Sequence, residues 1–169
     1  MKLVVDTNVP KAANGSSASP QASPECITTC AQRLKDLQRH HILVLDDGWH
    51  ILREYIGQLA SSGQPSVGDA FLKWVLTNQT NSRRCEHIHI TPSEPGPFPS
   101  SFLEFPSAPE LADFHWKDRK FVAVAAAHPE HPPILNAVDS DWWDHREAMA
   151  LHGIQIEFVC RDAPFIQGD

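Results

Sequence analysis

Short apolar runs alternate with amphipathic stretches along most of the chain. Lys2-Leu3-Val4-Val5 has β character, stops at Asp6 and passes into Thr7-Asn8, the pattern of a buried strand running into a turn. Residues 10–23 are small and polar and read as a loop. Ser23-Pro24-Glu25 then supplies an N-cap, a first-turn proline and an early acid, which predicts a helix to about His40 with Ile27, Cys30, Leu34 and Leu37 on its inner face. Ile42-Leu43-Val44-Leu45 reads as a second buried strand, followed by Asp46-Asp47. The next helix carries an inner stripe of Ile51, Leu52, Tyr55, Ile56 and Leu59, with Glu54 at its border. Ser66 and Asp69 have capping-box spacing and open a third helix, with Val67, Phe71, Trp74 and Val75 inward, that breaks at residues 78–81. Residues 87–90 read as a strand.

The second half repeats the alternation after an interruption. Residues 92–110 hold six prolines and little periodicity, so they form a long insert loop, whose Phe98, Phe102, Leu103 and Phe105 either pack over the core, the favoured reading, or mark a contact surface. Residues 113–128 return to helix, with Phe121, Val122, Ala125 and Ala126 inward and Asp118 in the opening part. Residues 134–138 are a buried strand ending at Asp139, a helix from about Trp142 closes at Gly153, and residues 154–159 make a last strand. This order predicts an α/β fold, a three-layer α/β/α sandwich with a mostly parallel central sheet, built as one domain over residues 1–169.

Composition narrows the class. No apolar run approaches the roughly 18 residues of a membrane span, and the first acid comes at position 6, which reads as no signal peptide and a cytoplasmic protein with no membrane partner. Cys26, Cys30, Cys85 and Cys160 are few, and Cys26 and Cys30 read as small apolar residues on one helix, so reduced thiols are expected. The 14 basic and 21 acidic residues leave a net charge of −7, which argues against a protein that grips a duplex mainly through phosphate contacts. A local basic strip still acts within an acidic chain, because exposed charges are screened beyond about 8–10 Å. Arg83-Arg84 and Arg119-Lys120 are the candidates.

Asp6, Glu54, Asp118 and Asp139 stand at strand ends or helix starts. Each has an ordinary reading as a turn or helix cap, a surface glutamate, or a partner of a helix dipole. Taken together they are the hard oxygen donors of a divalent-metal site, which a parallel sheet gathers by bringing strand ends to one edge.

These residues carry a resemblance. Asp6-Thr7-Asn8 after the first strand, Glu54-Tyr55 on the helix after the second, Asp118 opening the Phe121-to-Ala127 helix, and Asp139-Ser140-Asp141-Trp142 after a late strand together resemble the PIN-domain nucleases over nearly the whole chain. Ala137 stands where that family often has threonine or serine, and Trp142 where it has phenylalanine. The resemblance implies metal-dependent hydrolysis of phosphodiester bonds, with single-stranded RNA favoured. Asp6, Glu54, Asp118 and Asp139 would be the catalytic ligands of Mg²⁺ or Mn²⁺ and Asp141 an outer member. Thr7, Asn8, Arg119 and Lys120 would position substrate. It further implies a toxin-type enzyme with a protein inhibitor or antitoxin, or a homodimer.

Two other classes stand beside this one. A catalytically inactive relative would keep the acidic edge for binding a partner. A zinc protein would use Cys85, His87 and His89, which alternate on one strand face without a fourth ligand at a marked spacing. A receiver-like signalling domain, suggested by Asp46-Asp47 after a strand, fails because that pair follows the second strand and no lysine follows the last ones.

Overall fold

The computed structural model describes residues 1–167. Five strands, β1 (Lys2–Val5), β2 (Ile42–Asp46), β3 (Cys85–Ile88), β4 (Ile134–Asn136) and β5 (Ile156–Phe158), form one all-parallel sheet in the order β3-β2-β1-β4-β5. The chain steps outward from β1 to β3, then crosses back to lay β4 on the other side of β1. Parallel crossovers are right-handed, so this reversal puts helices on both faces and opens a crevice where the ends of β1 and β4 part.

The helices are α1 (Asn8–Ala13), α2 (Pro24–His40), α3 (His50–Gln58), α4 (Val67–Asn78), α5 (Arg119–Ala127), α6 (Ser140–Asp144), α7 (Arg146–Ala150) and α8 (Pro164–Gln167). On one side α1, α2 and α4 pack on one another. On the other, α5 lies against β1, β2 and β4 and touches α3. No helix among the described residues is long and apolar enough to cross a membrane.

The strand cores follow the apolar runs: Leu3, Val4, Val5, Leu43, Val44, Ile134 and Leu135 have no exposed surface. Ser23 accepts the Cys26 N–H at 3.0 Å and caps α2, and the Ser66/Asp69 capping box opens α4. Asp46 accepts the His50 and Ile51 N–H groups, both at 2.8 Å, which occupies its two oxygens in starting α3.

Several expectations are corrected. The expected loop at 10–23 begins with helix, because Val9, Pro10, Ala12 and Ala13 are buried between α2 and α4. That packing is close: a Cβ on Gly68 of α4 would stand 2.0 Å from the Pro10 carbonyl oxygen. Ile56 is 44% exposed rather than part of the inner stripe. The helix expected over 113–128 starts only at Arg119, after a 3-10 turn at Trp116–Asp118. The helix before Gly153 begins at Ser140 and divides at His145. Phe102 and Phe105 of the proline-rich loop pack inward as expected, whereas Phe98 and Leu103 are 72% and 71% exposed.

Cys26 and Cys160 form a disulfide across a sequence separation of 134, in place of the expected thiols. The first turn of α2 and the segment after β5 meet in space, a proximity that sequence spacing does not display. Cys30 Sγ lies 3.6 Å from Cys160 Sγ, and burial pushes the Cys30 thiol up to about 12. A thiol reductant is expected to lower the melting temperature, corresponding to the loss of about 2–4 kcal/mol typical of a cross-link closing a long loop. Coincident melting curves with and without reductant would show that the bridge contributes nothing.

Candidate metal centre

Asp6 leaves β1 at the crevice, held there by its own N–H donating to the Leu135 carbonyl of β4 at 3.0 Å. Its carboxylate is 3% exposed. Oδ1 accepts the Asn8 N–H at 2.9 Å, while Oδ2 has no hydrogen-bond partner. Among the described buried side-chain polar atoms, only His41 Nδ1 and Trp142 Nε1 share that condition, and neither is a carboxylate oxygen. A buried, unpaired carboxylate oxygen is costly, so the site is one that a cation would relieve.

Asp118 sits at the N-cap of α5 with its side chain 14% exposed. Asp139 caps α6 by accepting the Asp141 N–H at 2.9 Å. Burial pushes Asp6 well above its ordinary carboxylate range, and the charges of Asp118, Glu54 and Asp139 push it further. Burial is also the main cause that brings Asp118 up to about 7, followed by repulsion from Asp139, with Lys120 opposing. Asp139 is raised by burial and by Asp141. These acids share the walls of one open cavity of about 720 Å³ with Thr7, Asn8, Lys11, Glu54, His115, Lys117 and Asp141.

Glu54, on α3, reaches the same cavity already partnered. Its Oε1 accepts the Thr7 hydroxyl at 2.6 Å, and its Oε2 pairs with Lys120 Nζ. Lys120 also donates to the Lys117 carbonyl and is 8% exposed. It is therefore a fixed internal cation rather than part of a solvated basic strip. Arg119 points elsewhere: it donates to the Ala112 and Phe114 carbonyls at 2.8 and 3.2 Å and lies 4.7 Å over the Phe105 ring. Of the other expected strip, Arg84 donates to the Gln38 and Arg39 carbonyls.

The remaining positions are brought together with distinct jobs. Asn8 donates to Asn136 Oδ1 at 2.6 Å and accepts the Ala137 N–H at 2.8 Å, while Asn136 donates to the Asp139 carbonyl at 3.0 Å. This clamp ties the end of β1 to the turn carrying Asp139. Asp141 accepts the His115 N–H at 2.9 Å and meets His145 Nδ1 at 3.1 Å, so it braces the segment before Asp118. Asn136 is absent from the residues the sequence singles out, and Tyr55 enters there only as an inner-stripe residue beside Glu54. Tyr55 is fully buried and donates to the Val5 carbonyl at 2.5 Å, directly before Asp6. A polar asparagine inside the apolar 134–138 run was the readable signal for the first.

Among the described residues, the one trio of ligand groups lying within 4.8 Å of one another is Cys26, Cys30 and Cys160. Two of these are oxidised, and sulfur suits soft metals rather than Mg²⁺ or Mn²⁺. Among the described residues, no three of the cavity's carboxylates offer oxygens as close to one another as these sulfurs. Cys85, His87 and His89 do not converge. Cys85 is buried, His87 bonds the Gln79 and Asp46 carbonyls, and His89 pairs with Asp47.

Lys120→Met is expected to leave Glu54 facing the aspartates without a counter-charge, lowering metal-free stability by about 1–3 kcal/mol and enlarging the rise in melting temperature on adding Mn²⁺. A Mn²⁺ response equal to wild type would show that Lys120 does not compete with a metal for this charge. Compared with protein-family models, curated proteins and solved structures, the chain matches none.

Proposed function

We propose that this protein is a divalent-metal-dependent nuclease of the PIN-like type, hydrolysing phosphodiester bonds in single-stranded RNA. The observation that carries the reading is the unpartnered, buried Asp6 oxygen in a cavity shared with Asp118 and Asp139, whose charges raise the proton affinity of Asp6. The cavity lies outside the carboxyl ends of parallel strands at a reversal of strand order, where α/β sheets place ligands.

In this reading Asp6, Asp118 and Asp139 hold Mg²⁺ or Mn²⁺. The bound metal supplies the charge that acidifies water and polarises a phosphate. Asp6 stays oriented by the Asn8 N–H, and Asp139 by the Asn8–Asn136 clamp. Glu54, fixed by Thr7 and Lys120, stands as an acceptor at the edge of the cluster and would orient a water. Lys11 and Lys117 line the cavity and offer attraction to phosphates entering a site otherwise dominated by acids.

The internal Lys120–Glu54 pair favours one second reading, a relative that keeps the fold but has replaced part of its metal charge with lysine. Cleavage of labelled single-stranded RNA with Mg²⁺, Mn²⁺ or EDTA separates the two. Cutting that requires metal supports the nuclease; a folded protein that neither binds Mn²⁺ nor cuts single-stranded RNA supports the second reading, and Mn²⁺ binding that is lost in Asp6→Asn counts against it.

A further inference from the structure

A second cavity of about 360 Å³ opens beside the acidic one and shares Glu54, Gln58 and Lys117 with it. Its volume lies within the ~300–1,000 Å³ of small-molecule sites. Its walls differ in chemistry from those of its neighbour. Phe98, Phe102, Trp116 and His50 supply ring faces or edges, and Arg53, Lys117 and Lys120 supply positive charge. Phe98 and Trp116 are 72% and 42% exposed.

The exposed phenylalanine is held in place. Pro97 and Pro99 flank it, Pro99 is buried, and Arg53 donates to the Pro97 carbonyl at 3.0 Å. Proline restricts both its own backbone and that of the residue before it, so the backbone that presents Phe98 to solvent has little freedom left to lose on binding. Elsewhere in the cavity wall, Lys117 Nζ lies 5.6 Å from the Trp116 ring centre.

We propose that this cavity is the base-binding subsite of the nuclease: it takes one unstacked nucleobase of a single-stranded nucleic acid, between Phe98 and Trp116, while the adjoining phosphate lies toward Lys117 and the acids. The inference rests on the nuclease reading for its substrate but on separate residues for its geometry. Aromatic faces bind any base by stacking, the cations in the wall complement a phosphodiester, and a duplex cannot offer a free base face without being opened. Continuity with the acid cavity through Glu54 and Lys117 places a neighbouring phosphate at the metal centre.

The test is an anisotropy titration of a fluorescein-labelled single-stranded RNA of about ten nucleotides, a length within known site sizes. It is run in EDTA with wild type, Phe98→Ala, Trp116→Ala and Phe98→Tyr, beside Mn²⁺-dependent cleavage of the same RNA. Each alanine variant is expected to bind about 5- to 150-fold more weakly, the range produced by losing one stacked base. Phe98→Tyr should bind as wild type does, and the Mn²⁺-induced rise in melting temperature should be unchanged in all. Equal affinity for all four proteins, or no RNA binding by wild type, overturns the subsite. Loss of self-association in Phe98→Ala, with RNA affinity unchanged, assigns the face to a second copy instead and also overturns it. RNA bound in an aromatic-dependent way but never cut would leave the subsite standing and remove the nuclease reading.

Discussion

Asp6→Asn is expected to slow metal-dependent cleavage of single-stranded RNA by about 10²- to 10⁴-fold, the scale on which essential charged groups act in hydrolysis. The substitution is nearly isosteric, and an asparagine oxygen can still accept the Asn8 N–H that the Asp6 carboxylate accepts at 2.9 Å. The turn after β1 should therefore persist, and the loss should fall on charge. Asp118→Asn should act in the same way, since its carboxylate lies in the same cavity and repels Asp6 directly. Asp141→Asn should cost less, about tenfold, because the Asp141 oxygens brace His115 and His145 rather than stand unpartnered. Initial rates for the three variants, with circular dichroism to confirm folding, check this order. A fully active Asp6→Asn enzyme would remove the proposed metal centre.

Without divalent metal, stability should fall as pH rises from about 5 to about 7.5, and Asp118→Asn should flatten that fall. The folded protein holds the Asp118 proton up to about pH 7, whereas the unfolded chain releases it near the ordinary value of 3.8. The folded state thus binds more protons in that window, and stability present at low pH is lost as pH passes through the folded value. Asp6 and Asp139 are raised too and add in the same direction. His50, lowered mainly by burial, works oppositely, but it is common to both proteins and cancels in their difference. Glu86, Glu94 and Glu130 are lowered by hydrogen bonds, so their contribution is lost only in more acid solution.

At pH 7.5 in EDTA, Asp118→Asn should be the more stable protein, by on the order of 1–3 kcal/mol. Saturating Mg²⁺ or Mn²⁺ should reverse this order, since a metal at about 100 times its Kd contributes about 2.7 kcal/mol to whichever protein binds it. Melting curves for the two proteins across pH 5–7.5, with and without metal, provide the comparison. Parallel curves in EDTA would show that the acids do not strain the fold. A metal response equal in both would show that Asp118 is no ligand.

The candidate carboxylates were legible in the sequence because each adjoins a feature set locally. Asp6 follows an apolar run, Asp139 follows another, and Asp118 precedes a strongly apolar helix. What each side chain does was not legible in the same way. Arg119 and Lys120 are adjacent and chemically alike on paper, yet one cradles the loop around Phe105 and the other is ion-paired inside the cavity. Helical spacing turns consecutive residues about 100° apart, so one basic pair was bound to point two ways. The proline-rich loop shows the same divide: its irregularity could be read, but the inward packing of Phe102 and exposure of Phe98 depend on surfaces remote in the chain.

By itself the sequence determined the alternation of strands and helices, the N-caps at Ser23 and Ser66, and the buried character of β1, β2 and β4, because burial periodicity and capping act over a few residues. Only the tertiary structure decided the order β3-β2-β1-β4-β5, the Cys26–Cys160 bridge, the pairing of Glu54 with Lys120, and the solitary Asp6 oxygen. These are meetings between groups far apart along the chain. They depend on how the crossovers return β4 to the side of β1, a choice that no local pattern of hydrophobic and polar residues encodes.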